Sequence, residues 1–250
     1  MEADAGQIKK MRNSRTVSLL AASLCVLLAG CAGKGEAPVE TTETKQAAVM
    51  ETIWETTAPA ATEAAVQPEH KDSDLVKIRD YIPDALVDLR YATADNFTGK
   101  VIYDFTEPYL RYGTVKKLMA VREDLRQLEL NMKIWDGFRP FSAQIKMWEV
   151  FPDDTYVADP TIGASNHNRG CAIDLTLVDQ EGRELEMPSE FDDFTTQADR
   201  DYSDCTEIAA QHAQLLEILM EKHGFKGYYG EWWHFNDTVK YEVEKEFQPE

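Results

Sequence analysis

The uneven distribution of large apolar residues limits the part of this chain that can fold. Residues 31–72 are rich in Thr, Glu and Ala, and they contain few large apolar side chains besides Trp54. A stretch of this composition cannot bury enough surface to offset the entropy that it would lose on ordering. We therefore predict a flexible spacer at residues 31–72 and a folded domain at residues 73–250.

The segment before the spacer has the pattern of an export signal. An apolar run at residues 17–28 follows four basic residues, Lys9, Lys10, Arg12 and Arg15. Basic residues followed by a short apolar run are typical of a secretory signal, and this run is too short to span a bilayer comfortably. We predict a signal peptide at residues 1–30, and both Met1 and Met11 are compatible with its start.

The end of the apolar run resembles the lipobox of bacterial lipoproteins, in which a Cys is acylated and becomes the mature N-terminus. The sequence there is Leu28-Ala29-Gly30-Cys31. The resemblance predicts lipidation at Cys31 and an extracytoplasmic lipoprotein, anchored to the membrane by its N-terminal lipid. The alternative is an ordinary cleaved signal followed by an unmodified Cys31.

Charge and cysteine content constrain the partners and cross-links of the domain. The formal net charge is -19. We expect no nucleic-acid partner, because phosphate binding needs clustered Lys and Arg. Two cysteines, Cys171 and Cys205, lie in the domain. A disulfide between them and a pair of free thiols are both open, although two isolated cysteines more often stay as buried thiols.

Apolar residues at steps of three and four predict an amphipathic helix at residues 113–130, and start and stop signals predict two more, at residues 142–150 before Pro152 and at residues 204–224. We expect Ser142 to cap the second helix, and Asp204 to cap the third in a capping box with Glu207. The predicted apolar face of the third helix consists of Ile208, Leu215, Leu216, Leu219 and Met220. His212 falls on the same face, where a hydrogen-bonded packing role is expected rather than metal binding.

Strand patterns lie between and after these helices, at residues 132–135, 171–177 and 227–235. Residues 171–177 alternate, so one side can pack on helices while the other, which carries Asp174, faces a cleft. Helices and strands are mixed here without a regular repeat. The sequence therefore predicts an α+β domain with a small, largely antiparallel sheet flanked by helices.

The densest cluster of chemically active residues is Ser165-Asn166-His167-Asn168-Arg169-Gly170-Cys171-Ala172-Ile173-Asp174, followed later by Glu231-Trp232-Trp233-His234. A catalytic zinc commonly has three protein ligands and an open fourth position. We predict that His167, Asp174 and His234 bind one Zn²⁺ per chain. The alternative is that both histidines are unrelated core residues.

Glu231 is predicted to be the general base beside this metal, taking a proton from water and returning it to the leaving amine. On a regular strand Glu231 and His234 would point to opposite faces, so we expect a bulge or a loop-to-strand transition between them. A serine triad of Ser165 and His167 is disfavoured, because residues two apart on an extended segment do not easily pair as nucleophile and base.

These motifs resemble the zinc peptidases of the D-alanyl-D-alanine carboxypeptidase and dipeptidase group, which share a hedgehog-like α+β fold. The patterns Ser-x-His-x-x-Gly-x-Ala-x-Asp and Glu-x-Trp-His are matched at every fixed position. Within the group the chain is most similar to VanX-type dipeptidases. Three further segments carry this likeness: Tyr91-Ala92-Thr93-Ala94-Asp95-Asn96-Phe97-Thr98-Gly99, Trp135-Asp136-Gly137-Phe138-Arg139-Pro140 and Phe191-Asp192.

The resemblance implies further roles for individual residues. It makes Arg139 the group that stabilises the oxyanion, a role to which a nearby guanidinium is well suited. It suggests Tyr91 and Asp192 for the substrate ammonium and Ser165 for the substrate carboxylate. Asp193 follows Asp192 directly, so the register of that acidic residue is open.

The expected function is zinc-dependent hydrolysis of D-alanyl-D-alanine or a similar dipeptide derived from the cell wall. Outside the membrane such an enzyme would serve wall turnover or salvage. One alternative is a D,D-carboxypeptidase that acts on longer peptidoglycan peptides. Another is a non-catalytic, zinc-containing lipoprotein that binds the wall, because a fold alone does not fix a function.

Overall fold

The computed structural model describes residues 70–250. The predicted signal peptide, almost all of the predicted spacer and Cys31 lie outside the described residues, so these boundaries stay predictions. Residues 70–250 contain three α-helices: α1 (Tyr112–Gln127), α2 (Phe141–Val150) and α3 (Glu207–Lys222). They also contain seven strands: β1 (Leu75–Lys77), β2 (Leu86–Val87), β3 (Tyr109–Arg111), β4 (Asn131–Asp136), β5 (Ala172–Val178), β6 (Phe225–Tyr228) and β7 (Glu231–Asp237).

Five of these strands form the main sheet, in the order β2-β4-β5-β7-β6. Only β2 and β4 run parallel in this sheet, and its other neighbours are antiparallel. A second sheet pairs β1 with β3. Helix α1 packs against β4, and α3 packs against β6 and β7. The α+β class with a small, largely antiparallel sheet is therefore confirmed.

The central strand, β5, is buried along its whole length. Its apolar residues Ile173, Leu175 and Leu177 belong to the same core as the inward face of α1 and the second half of α3. Because both faces are buried, a polar side chain on this strand is costly unless it has a partner inside the protein. Asp174 on β5 has such partners, and they form the candidate site.

Two predicted helix starts are wrong. Pro140 is extended, with ψ 144°, so α2 begins at Phe141, and Ser142 is an exposed residue within the first turn. The cap of α3 is Thr206, whose hydroxyl accepts a hydrogen bond from the backbone N–H of Ala209. Asp204 instead accepts a hydrogen bond from the hydroxyl of Thr196, at 2.9 Å.

The predicted apolar face of α3 needs one correction. Ile208 is 44% exposed, because Ala209 supplies the buried position in the first turn. The rest of the predicted face is buried. His212 lies at the edge of that face, and its ring Nδ1 is 2.9 Å from the backbone oxygen of Glu186, in keeping with a hydrogen-bonded packing role. The helix is followed by Gly224 at φ 84°, as its predicted end requires.

Both domain cysteines are free thiols, with Cys171 buried and Cys205 partly exposed. Burial raises the pKa of the Cys171 thiol. Among residues 70–250, no helix combines the length and apolarity needed to cross a membrane.

The two ends of the described chain run along β3. Strand β1 pairs with it, placing Leu75 opposite Arg111. Residues 238–250 form no helix or strand and return to the same place. Arg111 donates to the backbone oxygen of Glu242 at 3.2 Å, and the ring of Phe247 packs 5.2 Å from that of Tyr109.

Candidate metal and substrate site

A row of polar residues crosses the middle of the main sheet. Asp136 on β4 is paired with Asp174 on β5, and Asp174 is paired with His234 on β7. Residues directly opposite in neighbouring strands point to the same face, with Cβ atoms about 5 Å apart. The sheet register therefore brings Asp174 and His234 together from positions sixty residues apart in sequence.

Irregular pairing flanks this row on both sides. On β4 the register shifts by one residue between Ile134 and Asp136. On β7 the pairing with β6 jumps from Phe235 to Glu231, which leaves residues 232–234 without partners on β6 in the described sheet. Bulges of this kind re-aim side chains and are frequent next to active sites. The irregularity predicted between Glu231 and His234 is present, and it allows both side chains to face the pocket.

His167 reaches the same place from a short 3₁₀ turn, His167–Arg169, that precedes β5. Gly170 ends this turn in the left-handed region at φ 70°, and an added Cβ would lie 2.5 Å from a methyl group of Leu75. The backbone N–H of Arg139 donates to the carbonyl of His167 at 3.1 Å. The turn is thus held between the segment that carries Arg139 and the strand that carries Asp174.

The three predicted ligand groups meet at hydrogen-bond distances. His167 Nε2 lies 3.2 Å from His234 Nδ1 and 3.3 Å from Asp174 Oδ2, and His234 Nδ1 lies 2.9 Å from Asp174 Oδ1. Zinc bonds of about 2.0–2.1 Å in a tetrahedral site separate the ligand atoms by about 3.3 Å. The observed separations are close to this value, so the three residues fit one small divalent ion.

The outer nitrogens of both histidine rings support the same assignment. His167 Nδ1 lies 2.7 Å from the carbonyl oxygen of Gly137, which can only accept a hydrogen bond. His234 Nε2 lies 3.1 Å from Asn236 Oδ1, and Asn166 donates to that oxygen at 2.8 Å. These contacts place the ring hydrogens on the outer nitrogens. The inner nitrogens then present lone pairs to a metal, as a histidine ligand requires.

The charges of the ligand cluster are coupled. Burial alone would raise the pKa of the Asp174 carboxyl, but the adjacent His167 and His234 outweigh it and hold that pKa well below its usual range. Burial alone would lower the pKa of His167, yet the nearby carboxylates of Asp174 and Asp136 raise it on balance. The pocket therefore favours a negative Asp174 in contact with positive charge.

Glu231 lies next to this cluster, with its Oε2 3.7 Å from His234 Nδ1. Burial raises the pKa of Glu231 to about 7. A carboxyl group with a pKa near neutrality can both accept and return a proton under physiological conditions. Its position and its proton affinity fit the predicted role of general base.

Arg139 is buried, so its guanidinium does not belong to an ion pair on the protein surface. Its Nη2 donates to Asp136 Oδ2 at 2.7 Å, and its Nη1 donates to Gln144 at 3.0 Å. The guanidinium also lies 5.2 Å from the centre of the Tyr91 ring. These contacts fix a positive charge in the pocket wall.

Tyr91 and Asp192 meet across a hundred residues of sequence. The Tyr91 hydroxyl lies 3.0 and 3.1 Å from the two carboxylate oxygens of Asp192. Burial raises the pKa of Asp192 to about 7. Asp193 lies outside the pocket lining, and its carboxylate accepts a bond from the backbone of Thr195. Of the two neighbouring acids, Asp192 is therefore the one that lines the pocket beside Tyr91.

The predicted site residues of the domain line one pocket of about 290 Å³. Ser165 is among the lining residues, and its hydroxyl oxygen accepts a hydrogen bond from the backbone N–H of His167 at 3.2 Å. That contact leaves the hydroxyl hydrogen of Ser165 able to donate to a ligand. The eight predicted site residues of the domain are therefore brought together: Tyr91, Arg139, Ser165, His167, Asp174, Asp192, Glu231 and His234.

Sequence reasoning missed the residues that support these groups. Asp136 is completely buried, accepts a hydrogen bond from the Tyr103 hydroxyl at 2.7 Å, and holds Arg139. Its place in the Trp135–Pro140 motif was a signal that could have found it. Asn236 could have been found from its spacing, because it lies two residues after His234 and so on the same strand face. Nothing local in the sequence marks Tyr103.

The chain is similar in sequence to several dipeptidases. The D-alanyl-D-alanine dipeptidase of Escherichia coli (strain K12) is 39% identical over 164 residues, which cover 65% of this chain and 84% of that protein. The D-alanyl-D-alanine dipeptidase of Enterococcus faecalis (strain ATCC 700802 / V583) is 34% identical over 169 residues, covering 59% and 83%. A solved structure of the LdcB LD-carboxypeptidase has a TM-score of 0.38 and 19% identity, and the match covers 66% of this chain and 68% of that chain.

The sequence profile of the peptidase M15 family, described as D-ala-D-ala dipeptidase, matches residues 71–248. This match spans nearly the whole of the described chain. It includes every residue that the structure brings to the pocket. The chain belongs to the D-ala-D-ala dipeptidase family of M15 peptidases, and it is a metallopeptidase.

Proposed function

We propose that this protein hydrolyses D-alanyl-D-alanine, or a similar dipeptide derived from the cell wall, with one zinc ion bound by His167, Asp174 and His234. The observation that carries the proposal is the convergence of these three ligand groups, within 4.8 Å of one another, in the pocket that also contains Glu231. Two histidines and one carboxylate form a ligand set suited to zinc. The names of the relatives support the substrate.

The protein groups around the metal have distinct tasks in this reaction. Zinc, when bound, would supply a Lewis acid beside the scissile peptide bond. Glu231 takes the proton from the attacking water and delivers it to the leaving amine, so that one carboxyl group serves as base and then as acid. Its burial, which raises the pKa of Glu231, favours holding the proton between the two steps.

Arg139 stabilises the negative charge that develops on the carbonyl oxygen. In the contacts described above, each terminal guanidinium nitrogen uses one of its two N–H groups, so a second N–H on each can be directed at the oxyanion. Asp136 and Gln144 hold the guanidinium in place before substrate arrives. A preorganised donor of this kind lowers the barrier without a reorganisation cost during the reaction.

The pocket favours a free dipeptide over a longer peptide. Asp192, supported by Tyr91, offers a carboxylate to the substrate ammonium, and Ser165 offers a hydroxyl to the substrate carboxylate. A pocket of about 290 Å³ is at the small end of the range for ligand sites. An acyl group on the substrate nitrogen would remove the charge that Asp192 recognises.

A panel of two substrates tests this proposal. Purified protein is incubated with D-alanyl-D-alanine and with its N-acetylated form, and free D-alanine is measured with and without a metal chelator. We expect chelator-sensitive release from the free dipeptide, restored by added zinc, and little release from the acetylated form. Hydrolysis of both would favour the D,D-carboxypeptidase alternative, and hydrolysis of neither would favour a non-catalytic wall-binding protein.

We also propose that the protein is a lipoprotein anchored outside the cytoplasmic membrane through Cys31, and that it acts on wall-derived fragments in turnover or salvage. The proposal is supported by the signal-like segment and the lipobox-like sequence that ends in Cys31. Cell fractionation and mass spectrometry of the wild type and of Cys31→Ser test it. We expect an acylated membrane-associated wild type and an unacylated variant. An unacylated wild type in the cytoplasm would contradict the proposal.

A further inference from the structure

Arg200 is a buried cation close to the candidate site, although it does not line the pocket. It lies between Asp192 and α3 in sequence, and its side chain is 6% exposed. Its Nε donates to the backbone oxygen of Tyr228 at 2.8 Å. Its Nη2 donates to the backbone oxygens of Trp232 and His234, at 2.9 and 3.0 Å. One guanidinium thus binds three carbonyl groups of the β6–β7 hairpin.

The bulge in β7 explains why these carbonyls need an unusual partner. Residues 232–234 have no partner residues on β6 in the described sheet. A backbone carbonyl without a partner inside a protein is costly, so a donor has to come from elsewhere. Arg200 provides that donor for Trp232 and His234, at the two ends of the irregular segment.

The surroundings of Arg200 are shaped for a guanidinium. Gly227 on β6 packs directly against it, and an added Cβ there would lie 2.4 Å from Arg200 Cζ. On β7 the guanidinium lies 4.4 Å from the centre of the Phe235 ring. The carboxylate of Glu217 on α3 lies 3.3 Å from Nη1, and the Tyr202 hydroxyl lies 3.4 Å from the same nitrogen. These groups hold a planar cation in one orientation.

We propose that Arg200 is a positioning residue for the metal and for the general base. By holding the carbonyls of Trp232 and His234, it maintains the bulge that lets Glu231 and His234 share one face of the sheet. The inference rests on the metal site of the proposed function, and it extends that function to a residue outside the pocket. Lysine cannot substitute fully, because a single ammonium lacks the fixed fork that reaches three carbonyls.

Three substitutions test the role of Arg200. Arg200→Lys and Arg200→Gln remove the fork, and Gly227→Ala displaces the guanidinium without changing any charge. Arg183→Gln is the matched control, since Arg183 is 73% exposed and forms ion pairs with the nearby surface residues Asp179 and Glu181. Retention of the fold is checked by circular dichroism and thermal melting for every variant.

The main readout is zinc affinity, measured by competition with a chromogenic chelator. We expect Arg200→Gln and Gly227→Ala to weaken zinc binding by about 10- to 100-fold, the range found when partners of metal ligands are lost. Arg200→Lys should fall between these variants and the wild type. In the zinc-loaded enzymes, kcat for D-alanyl-D-alanine should fall more than KM rises. The substitutions disturb the positions of the reacting groups, whereas the contacts with the two ends of the substrate are kept.

Amide hydrogen exchange of the metal-free proteins gives a second readout that needs neither zinc nor substrate. We expect exchange at residues 231–236 to become at least tenfold faster in Arg200→Gln, with little change on β4. Unchanged exchange on β7, or zinc affinity equal to the wild type, would overturn the proposal. If Arg200→Gln does not fold, Gly227→Ala decides the question by the same measurements. A wild type that hydrolyses no dipeptide would refute the proposed function and leave this comparison intact.

Discussion

Glu231 and Asp192 are carboxyl groups whose proton affinity is changed by the fold. Burial raises the pKa of each to about 7. The two groups face different contacts, however. Glu231 lies beside His234 of the metal cluster, whereas Asp192 is bonded to the Tyr91 hydroxyl. Glu231 and Asp192 therefore have similar burial but different partners.

Replacing Glu231 by Gln should abolish proton transfer while the shape of the pocket is kept. We expect kcat/KM for D-alanyl-D-alanine to fall by about 10²- to 10⁴-fold, the usual contribution of a general base. Zinc content, measured by atomic emission, should stay at one ion per chain. Glu149→Gln, on the exposed side of α2, is the control and should keep full activity. Near-normal turnover in Glu231→Gln would show that another group carries the proton.

Replacing Asp192 by Asn should weaken binding of the substrate ammonium. The amide keeps a partner for the Tyr91 hydroxyl but loses the charge, so we expect kcat/KM to fall by about 10- to 100-fold, the value of a hydrogen bond to a charged group. Asp193→Asn is the neighbouring control, because its side-chain oxygen can still accept from Thr195. Steady-state kinetics of both variants measure the difference. Equal losses in the two variants would contradict the assignment to Asp192.

At single positions the sequence was informative where a motif combined several chemical groups. Two short motifs stand out because together they contain two histidines and two acids: His167 and Asp174 in the first, and Glu231 and His234 in the second. Asp136 also supports the pocket, and its place in a motif beside Arg139 was the local signal for it, but an acid at the end of a strand can equally be solvated. Only its burial and its contact with Arg139 reveal the difference.

The packing of α1 against α3 includes one ionic contact that makes stability depend on pH. Asp124 on α1 accepts bonds from Lys222 at 2.9 Å and from His223 at 2.7 Å, at the C-terminal end of α3. Burial alone would raise the pKa of Asp124, but the bonds from Lys222 and His223 lower it on balance. Because the pKa of Asp124 is lower in the folded state, its charge stabilises the protein at pH values above the pKa of the unfolded state, about 3.9. This stabilisation is lost as the pH falls through the pKa of Asp124 in the folded state.

Asp124→Asn should therefore destabilise the domain at pH 5 and have less effect at pH 3. We expect a loss of about 0.5–1 kcal/mol in the free energy of unfolding at pH 5, typical of a partly exposed ion pair. Urea unfolding at the two pH values measures it. Asp104→Asn, an exposed acid, is the control. A loss that is as large at pH 3 as at pH 5 would indicate a cause other than the charge of Asp124.

For the helices, the sequence predicted their existence better than the residues at which they begin. Periodicity located α1, because a buried face leaves a repeated apolar pattern, and capping and stop residues located α2 and α3. The predicted start of α2 was wrong because this helix follows the extended Pro140 and has no side-chain cap. The predicted start of α3 was wrong because Thr206 and Asp204 can both cap a helix, and Asp204 instead accepts a hydrogen bond from Thr196. The bulge on β4 at Trp135 could not be predicted, because alternation in one strand contains no information on its register with another.

Bound metal should stabilise the whole domain, because it joins His167 and Asp174 to His234, which lies sixty residues further along the chain. A ligand that binds only the folded state, at about 100 times its dissociation constant, adds about 2.7 kcal/mol. For a domain of this size that corresponds to a rise of about 5–10 °C in melting temperature. We expect a chelator to lower the melting temperature of the wild type by this amount in differential scanning calorimetry.

Two histidine variants make this measurement specific. His234→Ala should melt at the same temperature with and without chelator, because one of the three ligands is gone. His212→Ala should still respond to chelator, since His212 contacts the backbone of Glu186 and not the pocket. A chelator effect that persists in His234→Ala would place the metal elsewhere.

For the molecule as a whole, the sequence predicted the fold class and the composition of the site, but not the connections that hold the site in place. The contacts of Arg200 with β7 and of Tyr91 with Asp192 join residues that are about 30 and 100 positions apart. Such pairings depend on the order of strands in the sheet, which alternation alone does not specify. The resemblance suggested that Tyr91 and Asp192 act together, while no motif marked Arg200.

Because β1 and residues 238–250 both lie along β3, the two ends of the described chain are neighbours in space. The linear order of the elements is then not essential to the architecture: a short linker could join these ends, and new ends could be opened at the exposed turn after β5. A circularly permuted chain of this kind would be expected to retain the same pocket, since every ligand segment keeps its neighbours.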